Sequence, residues 1–396
     1  MFDPKVTKWA RIALSDPGYF TDVIRRKSRK ALALDRRFGG GRSFGPSGLV
    51  MTLTWRCNLR CQMCDQYGDD YKQPLSKLTR EDELELSEWQ RVVDETFKYR
   101  CEYNLFGGEP LLFDGAVDLI RHIKAKGRRC SITTNGTLLD RYGEDIVTSG
   151  LDAMGVSVDG PPDVHDEIRG SDGSFERISK GIRQVKAWRE KHGTRTPRIH
   201  INSVVTLWNH DRMLEMVELA RELGVDGLTF QHLNFLEPRT MHSHMDYFRK
   251  RFQYDWPTRE KDLGFLDTSG FDADVIHEQV TKIRKLEGLP ISFLPDLTTR
   301  EEIHGYYHDI DFKFQESSCV NPWIHVTINP KGVVTPCMEY PVGNVRDADF
   351  ASIWNGEVFR SFRSELKQQG LFPGYCQRCC HRRFKSTKGV IAARYM

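Results

Sequence analysis

The sequence predicts an α/β protein: a partial (β/α)6 TIM-like barrel with a small C-terminal α+β domain. Two observations lead to this reading. Between residues 48 and 233, six strand-sized apolar segments alternate with amphipathic helical ones. Beyond 319 a hairpin signal, an amphipathic helix and a knot of cysteines follow one another closely.

The strand segments are 49–54, 103–106, 130–134, 153–158, 199–206 and 227–232. Helical periodicity fills the gaps, as in 85–99, 115–126, 175–191 and 211–223. Strand–helix repetition implies a parallel sheet with right-handed crossovers and chemistry at the C-terminal strand ends. Residues 1–47 form a basic, helical N-terminal extension with Arg25, Arg26, Lys27, Arg29 and Lys30. It reads as a solvated helix on the barrel, or alternatively as a weak contact with an acidic membrane surface. Residues 234–318 lose the rhythm and are rich in His and aromatic residues, as expected of an irregular segment that caps a substrate site or of an exposed connector with some helix. Residues 319–396 make the C-terminal domain, with Asn329-Pro330-Lys331-Gly332 as its hairpin turn and a helix over 350–367.

Composition narrows the function. Apolar residues make up 39% of the 396 and charged residues 29%, enough for a sizeable core under a soluble surface. A net charge of +3 does not suit a nucleic-acid binder. No apolar stretch approaches a bilayer crossing, and Asp3, Lys5, Lys8, Arg11 and Asp16 interrupt any signal-peptide core. The expected location is the cytoplasm, where thiols stay reduced. Of ten cysteines, three lie within 57–64 and five within 319–380, which points to metal ligation. Cys101 and Cys130 read as buried core thiols.

Cys57, Cys61 and Cys64 are spaced C-x3-C-x2-C on the loop after the first strand. Three thiolates can hold three irons of a 4Fe–4S cube and leave the fourth open. Zinc would demand a fourth ligand, and the flanks of the loop carry no His.

This loop, with Met63 before its third cysteine, resembles the signature of the radical S-adenosylmethionine (SAM) superfamily. The resemblance implies that the open iron binds the amino and carboxylate groups of SAM. One electron then cleaves SAM to a 5′-deoxyadenosyl radical, which abstracts a substrate hydrogen. Gly107-Gly108-Glu109-Pro110 resembles the family's GGEP segment, whose backbone and carboxylate receive the SAM amino group. Asn135 lies in a TNG-like segment, and Ser157 and Asp159 follow the fourth strand. All three imply cofactor contact, although Asn-Gly and Asp-Gly also make ordinary turns. Arg169, in a stretch resembling HD..RG..GSF, is implied near the SAM carboxylate, and Asn202 and Val204 on the fifth strand are expected to face the cofactor, although their alternation fits a half-buried strand equally well. The adenine-contact motif GxIxGxxE of some members is not evident.

Cys319 and Cys337, then Cys376, Cys379 and Cys380, resemble the twitch domain, a shortened SPASM domain. The later cysteines of a full SPASM domain are missing. The resemblance implies one auxiliary 4Fe–4S cluster on Cys319, Cys337, Cys376 and Cys379, with Cys380 spare and a four-cysteine zinc site as the alternative. The expected activity is a radical SAM oxidoreductase: a dehydrogenase for a small hydroxylated or sugar-like molecule, reduced by a flavodoxin or ferredoxin. A peptide- or protein-modifying maturase is the second reading, disfavoured by the shortness of the 47-residue extension. A non-catalytic zinc protein is the third. His242, His244 and Glu237 are candidate bases in the capping segment.

Overall fold

A computed structural model describes residues 35–64, 80, 83–235, 237–256, 268–312, 314, 319–337 and 340–379. The basic helix predicted before residue 35, and Cys380, lie outside the described residues.

The barrel strands are β1 (Gly48–Thr54), β2 (Glu102–Gly107), β3 (Cys130–Thr134), β4 (Ala153–Ser157), β5 (Arg198–Val205) and β6 (Gly227–His232). They lie side by side in chain order and all parallel. Helices α1 (Leu86–Thr96), α2 (Ala116–Ala125), α3 (Leu139–Thr148), α4 (Pro162–Arg169), α5 (Ser174–Lys191) and α6 (Met213–Leu223) make the crossovers. The first shows how local sequence sets these elements. Glu85 and Glu88 close a capping box at its N-terminus, and Trp89, Val92, Val93 and Thr96 bury one stripe.

Strand periodicity then sorts side chains between two faces. The Tyr103 hydroxyl lies 2.8 Å from Thr96 Oγ1 on α1, so Tyr103 faces the helices. Leu49 pairs with Tyr103 and Met51 with Leu105, and all four are buried on that same side. The alternate positions line the concave inner face: Thr52, Asn104, Phe106, Ser131, Thr133, Ser157, Asn202, Val204, Thr229 and Gln231. Hydroxyls and amides dominate it. Asn104 donates to Ser131 at 2.9 Å across two neighbouring strands.

The described part of the 234–318 segment is largely regular. It holds α7 (Pro238–Phe252), α8 (Ala273–Ile283), α9 (Arg300–His308) and a seventh strand, β7 (Ile291–Leu294), parallel to β6. Thr299 and Glu302 cap α9. Its aromatic residues pack inward, with Phe271 and Tyr307 stacked at 4.0 Å and Phe248 against Trp256, Tyr340 and Phe372.

In the C-terminal region, β8 (His325–Ile328) and β9 (Val333–Thr335) form the expected hairpin, and Asn329 Oδ1 accepts from the Lys331 and Val333 amides inside the turn. Two-residue β10 (Gly343–Asn344) follows. The helix expected over 350–367 is broken into α10 (Phe350–Trp354) and α11 (Glu357–Gln369), because Gly356 is extended and serves as the second helix's N-cap. β8 pairs parallel with β1, so one ten-stranded sheet runs through both regions. Arg363 fastens the same junction. Buried against Trp354 and Phe359, it donates to the carbonyls of Gly41, Pro322 and Trp354. No described helix is long and apolar enough to cross a membrane.

Candidate active site

The Cys57–Cys64 loop leaves the C-terminal end of β1 and is held from two sides. On one side Gly108 N–H donates to Thr54 O and Glu109 N–H to Arg56 O, both at 2.8 Å. A Cβ on Gly107 would stand 2.3 Å from Thr54 O and one on Gly108 2.4 Å from Arg56 O, so this approach needs glycine at both places. On the other side Gln62 N–H donates to Ile168 O at 2.9 Å and its side chain to Glu167 O at 3.1 Å. The loop is thereby pinned to the end of α4.

Within it Cys57 Sγ accepts from Leu59 N–H at 3.5 Å and lies 3.9 Å from Asn135 Nδ2. Burial pushes the Cys57 thiol up, Leu59 N–H works against this, and the charges of Cys61 and Glu109 add to the rise. A half-buried thiol beside Cys61 and Glu109 suits a bound cation, which would keep it deprotonated. Met63 packs partly buried against the core, and Pro110 opens a short 3-10 turn.

Glu109 is wholly buried, and its carboxylate turns toward the loop after β3. It accepts from Leu111 N–H (3.1 Å), Thr134 Oγ1 (2.8 Å) and Asn135 N–H (2.7 Å). Burial raises its pKa to about 7 against these three donors. Of roughly four lone-pair sites, one remains to meet a cationic ligand. Asn135 is a brace: its amide donates to Asn58 and accepts from Thr137 N–H and Oγ1. Asn58, Thr134 and Thr137 were not singled out in the sequence, although all three lie within or beside the motifs that were.

Arg169 stands beside the cysteine loop. It is buried, with one nitrogen 2.5 Å from Asp159 and another donating to Cys61 Sγ at 3.6 Å. Burial alone would lower its pKa, but the Asp159 and Cys61 charges outweigh that and keep it protonated. Asp159 in turn accepts from Val204 N–H at 2.8 Å. Ser157 and Asn202 are register partners on the inner face, and Asn202 Nδ2 lies against Gly155, where a Cβ would be 2.5 Å away.

The second cysteine set converges on Cys337. Burial pushes its thiol well up, and the charges of Cys376, Cys319 and Cys379 push it further. Cys319 N–H donates to Gly370 O at 3.0 Å, and its sulfur accepts from Asn321 N–H at 3.4 Å. Arg378, inside the C-x2-C step, donates to Gly305 O and Asp309 O and so joins this site to α9. Among the described residues, no three His, Cys, Asp or Glu side chains gather closely enough to hold one metal ion. Zinc needs all its ligands about one centre, whereas a cube spreads them over separate irons. His244 is buried and its Nδ1 bonds to Pro373 O, which makes it a structural group here.

Residues 51–189 match the radical SAM superfamily, and residues 319–380 match the SPASM iron–sulfur cluster-binding domain. The chain belongs to the radical SAM superfamily. Its domains bind a 4Fe–4S cluster with SAM and auxiliary iron–sulfur chemistry, respectively. This radical SAM enzyme is 28% identical over 359 residues to an AdoMet-dependent heme synthase of Methanosarcina barkeri, covering 86% of this chain and 93% of the relative. It is 24% identical over 351 residues to a PqqA peptide cyclase of Xanthomonas campestris pv. campestris, covering 84% and 79%. In fold it is similar to Streptococcus suis SuiB bound to the precursor peptide SuiA, with a TM-score of 0.59, 16% identity, and 89% and 75% of the two chains covered.

Proposed function

We propose that the protein is a radical SAM oxidoreductase with Cys57, Cys61 and Cys64 as ligands of the SAM-binding cluster. Cys319, Cys337, Cys376 and Cys379 hold a second 4Fe–4S cluster. When bound, the first cluster and SAM supply hydrogen-atom abstraction. The observation that carries the reading is the match of residues 319–380 to an iron–sulfur cluster-binding domain, with the charges of Cys319, Cys376 and Cys379 reaching the Cys337 thiol. A site closed by four thiolates suits electron transfer, so the substrate leaves oxidised by two electrons. A flavodoxin- or ferredoxin-like protein supplies the first electron.

The chain's own residues fix the setting. Glycines 107 and 108 and the Glu109 network hold the cysteine loop in place. Ser157 and Asn202 are positioned on the inner face for the cofactor's polar groups. Thr52, Asn104, Thr229 and Gln231 offer a substrate hydrogen bonds without charge. Such a surface suits a hydroxylated small molecule. It equally suits a peptide backbone, and the likeness to a peptide cyclase over 84% of the chain favours that second reading.

Anaerobic preparations should contain about eight irons and eight sulfides per chain, as two 4Fe–4S cubes require. Reduced protein with SAM should release 5′-deoxyadenosine, and alanine at Cys57, Cys61 or Cys64 should abolish it. Zinc without sulfide, or cleavage that survives those substitutions, rejects the assignment.

A further inference from the structure

Two nitrogens of Arg169 are already engaged, one by Asp159 and one by the sulfur of Cys61. The Asp159 carboxylate is itself clamped by Val204 N–H at 2.8 Å, its main-chain carbonyl accepts from Asn209 Nδ2 at 2.6 Å, and its main-chain N–H donates to His165 Nδ1 at 3.2 Å. Both side chains are buried. The guanidinium is therefore aimed, and it points at a ligand sulfur.

We propose that Arg169 is a positioning residue for the SAM-binding cluster: it donates to the Cys61 ligand sulfur and eases reduction of the cluster, with Asp159 fixing its direction. This rests on the cluster assignment above. Reduction adds one negative charge to a buried group, and a cation held against a ligand sulfur stabilises that charge. Hydrogen bonds to ligand sulfurs and nearby charge are established levers on cluster potential. Asp159 partly offsets the charge, but it pairs with one terminal nitrogen while the other donates to the sulfur. The net effect favours the reduced state, the state from which SAM is cleaved.

The test is an EPR-monitored redox titration of the full-length, cluster-loaded protein, following the signal that responds to added SAM. In R169Q, and in R169Q/D159N where no unpaired charge is left buried, that signal should move to more negative potential. A tenfold change in the one-electron equilibrium, about 59 mV, is expected. R169K keeps the charge and should stay close to wild type, and the SAM-insensitive signal should not move in any variant. An unchanged potential in both R169Q and R169Q/D159N overturns the proposal. So does loss of SAM affinity at an unchanged potential, which would return Arg169 to the SAM carboxylate. A wild-type protein without any SAM-responsive cluster would instead sink the function proposed above.

Discussion

Arg169 and Asp159 form an ion pair at 2.5 Å, with the carboxylate fully withdrawn from solvent and the arginine nearly so. Such a pair contributes little net stability while intact, because desolvation of both ions offsets their attraction. Breaking it is a different matter. Asp159→Asn leaves a buried guanidinium without its counter-charge and should cost about 3–5 kcal/mol. Urea melts of wild type, D159N and R169Q/D159N check this. The double variant should recover part of the loss, and a D159N midpoint equal to wild type would contradict the pairing.

Gly108→Ala tests the seat of the cysteine loop. Its Cβ would meet two main-chain oxygens, Arg56 O at 2.4 Å and Trp55 O at 2.5 Å, and neither can swing aside as a side chain could. The loop must shift, at about 1–3 kcal/mol. Iron retained by the SAM-binding site should fall in G108A while the Cys319–Cys379 site stays loaded. Gly127→Ala serves as a contrast for crowding, since nothing lies within 4 Å of its Cβ and only its positive φ is strained.

Arg363→Met should destabilise the molecule by at least about 3 kcal/mol, because three buried carbonyls lose their donor at once. Burial pushes the Arg363 pKa down to about 9, against an opposing pull from Asp35, which still leaves it protonated over the Trp354 and Phe359 rings at neutral pH. R363K, with a single ammonium in place of the fork, should rescue little. Equal urea midpoints for wild type and R363M would refute the assigned role.

Acid should weaken the fold through buried neutral histidines. Burial lowers His165, His200 and His244 to about 4 and His232 to about 3, against an ordinary value near 6.5. Below about 6.5 the unfolded chain takes up protons that the folded chain refuses, so the stability they contribute is present at neutral pH and lost as pH falls toward 4. Each contributes up to about 1.4 kcal/mol per pH unit within that window. Denaturation midpoints at pH 7.5 and 5.0 measure the slope, and His200→Asn should flatten it. A slope indifferent to that change would remove His200 from the account.

The barrel was legible because its strands bury apolar residues on the helix side at every second position, a pattern that survives without tertiary context. The cysteine loop was legible because its three cysteines are only a few residues apart. The pairing of Arg169 was not, since Asp159 lies ten residues earlier and on another element, and only the fold shows that they meet. Glu109 stood out in the sequence, but its direction depends on Thr134 and Asn135 arriving from the next strand. The 234–318 segment hid its helices because its buried face uses His, Tyr and Trp, which blur an apolar period, and because β7 has only four residues. Asn355-Gly356 contained the helix break in plain view, but the apolar stripe continues across it and masked the interruption.

The pairing of β8 with β1 also has a kinetic side. Gly48 lies opposite His325 and Met51 opposite Ile328, contacts separated by 277 residues of chain. A ribosome making this protein from its N-terminus completes the six barrel strands long before β8 emerges. Until then β1 presents an open row of amides and carbonyls, an edge on which another chain can template. Chains cut before residue 325 should therefore tend to aggregate. In this fold the last-made region acts as the cover that the first-made strand waits for.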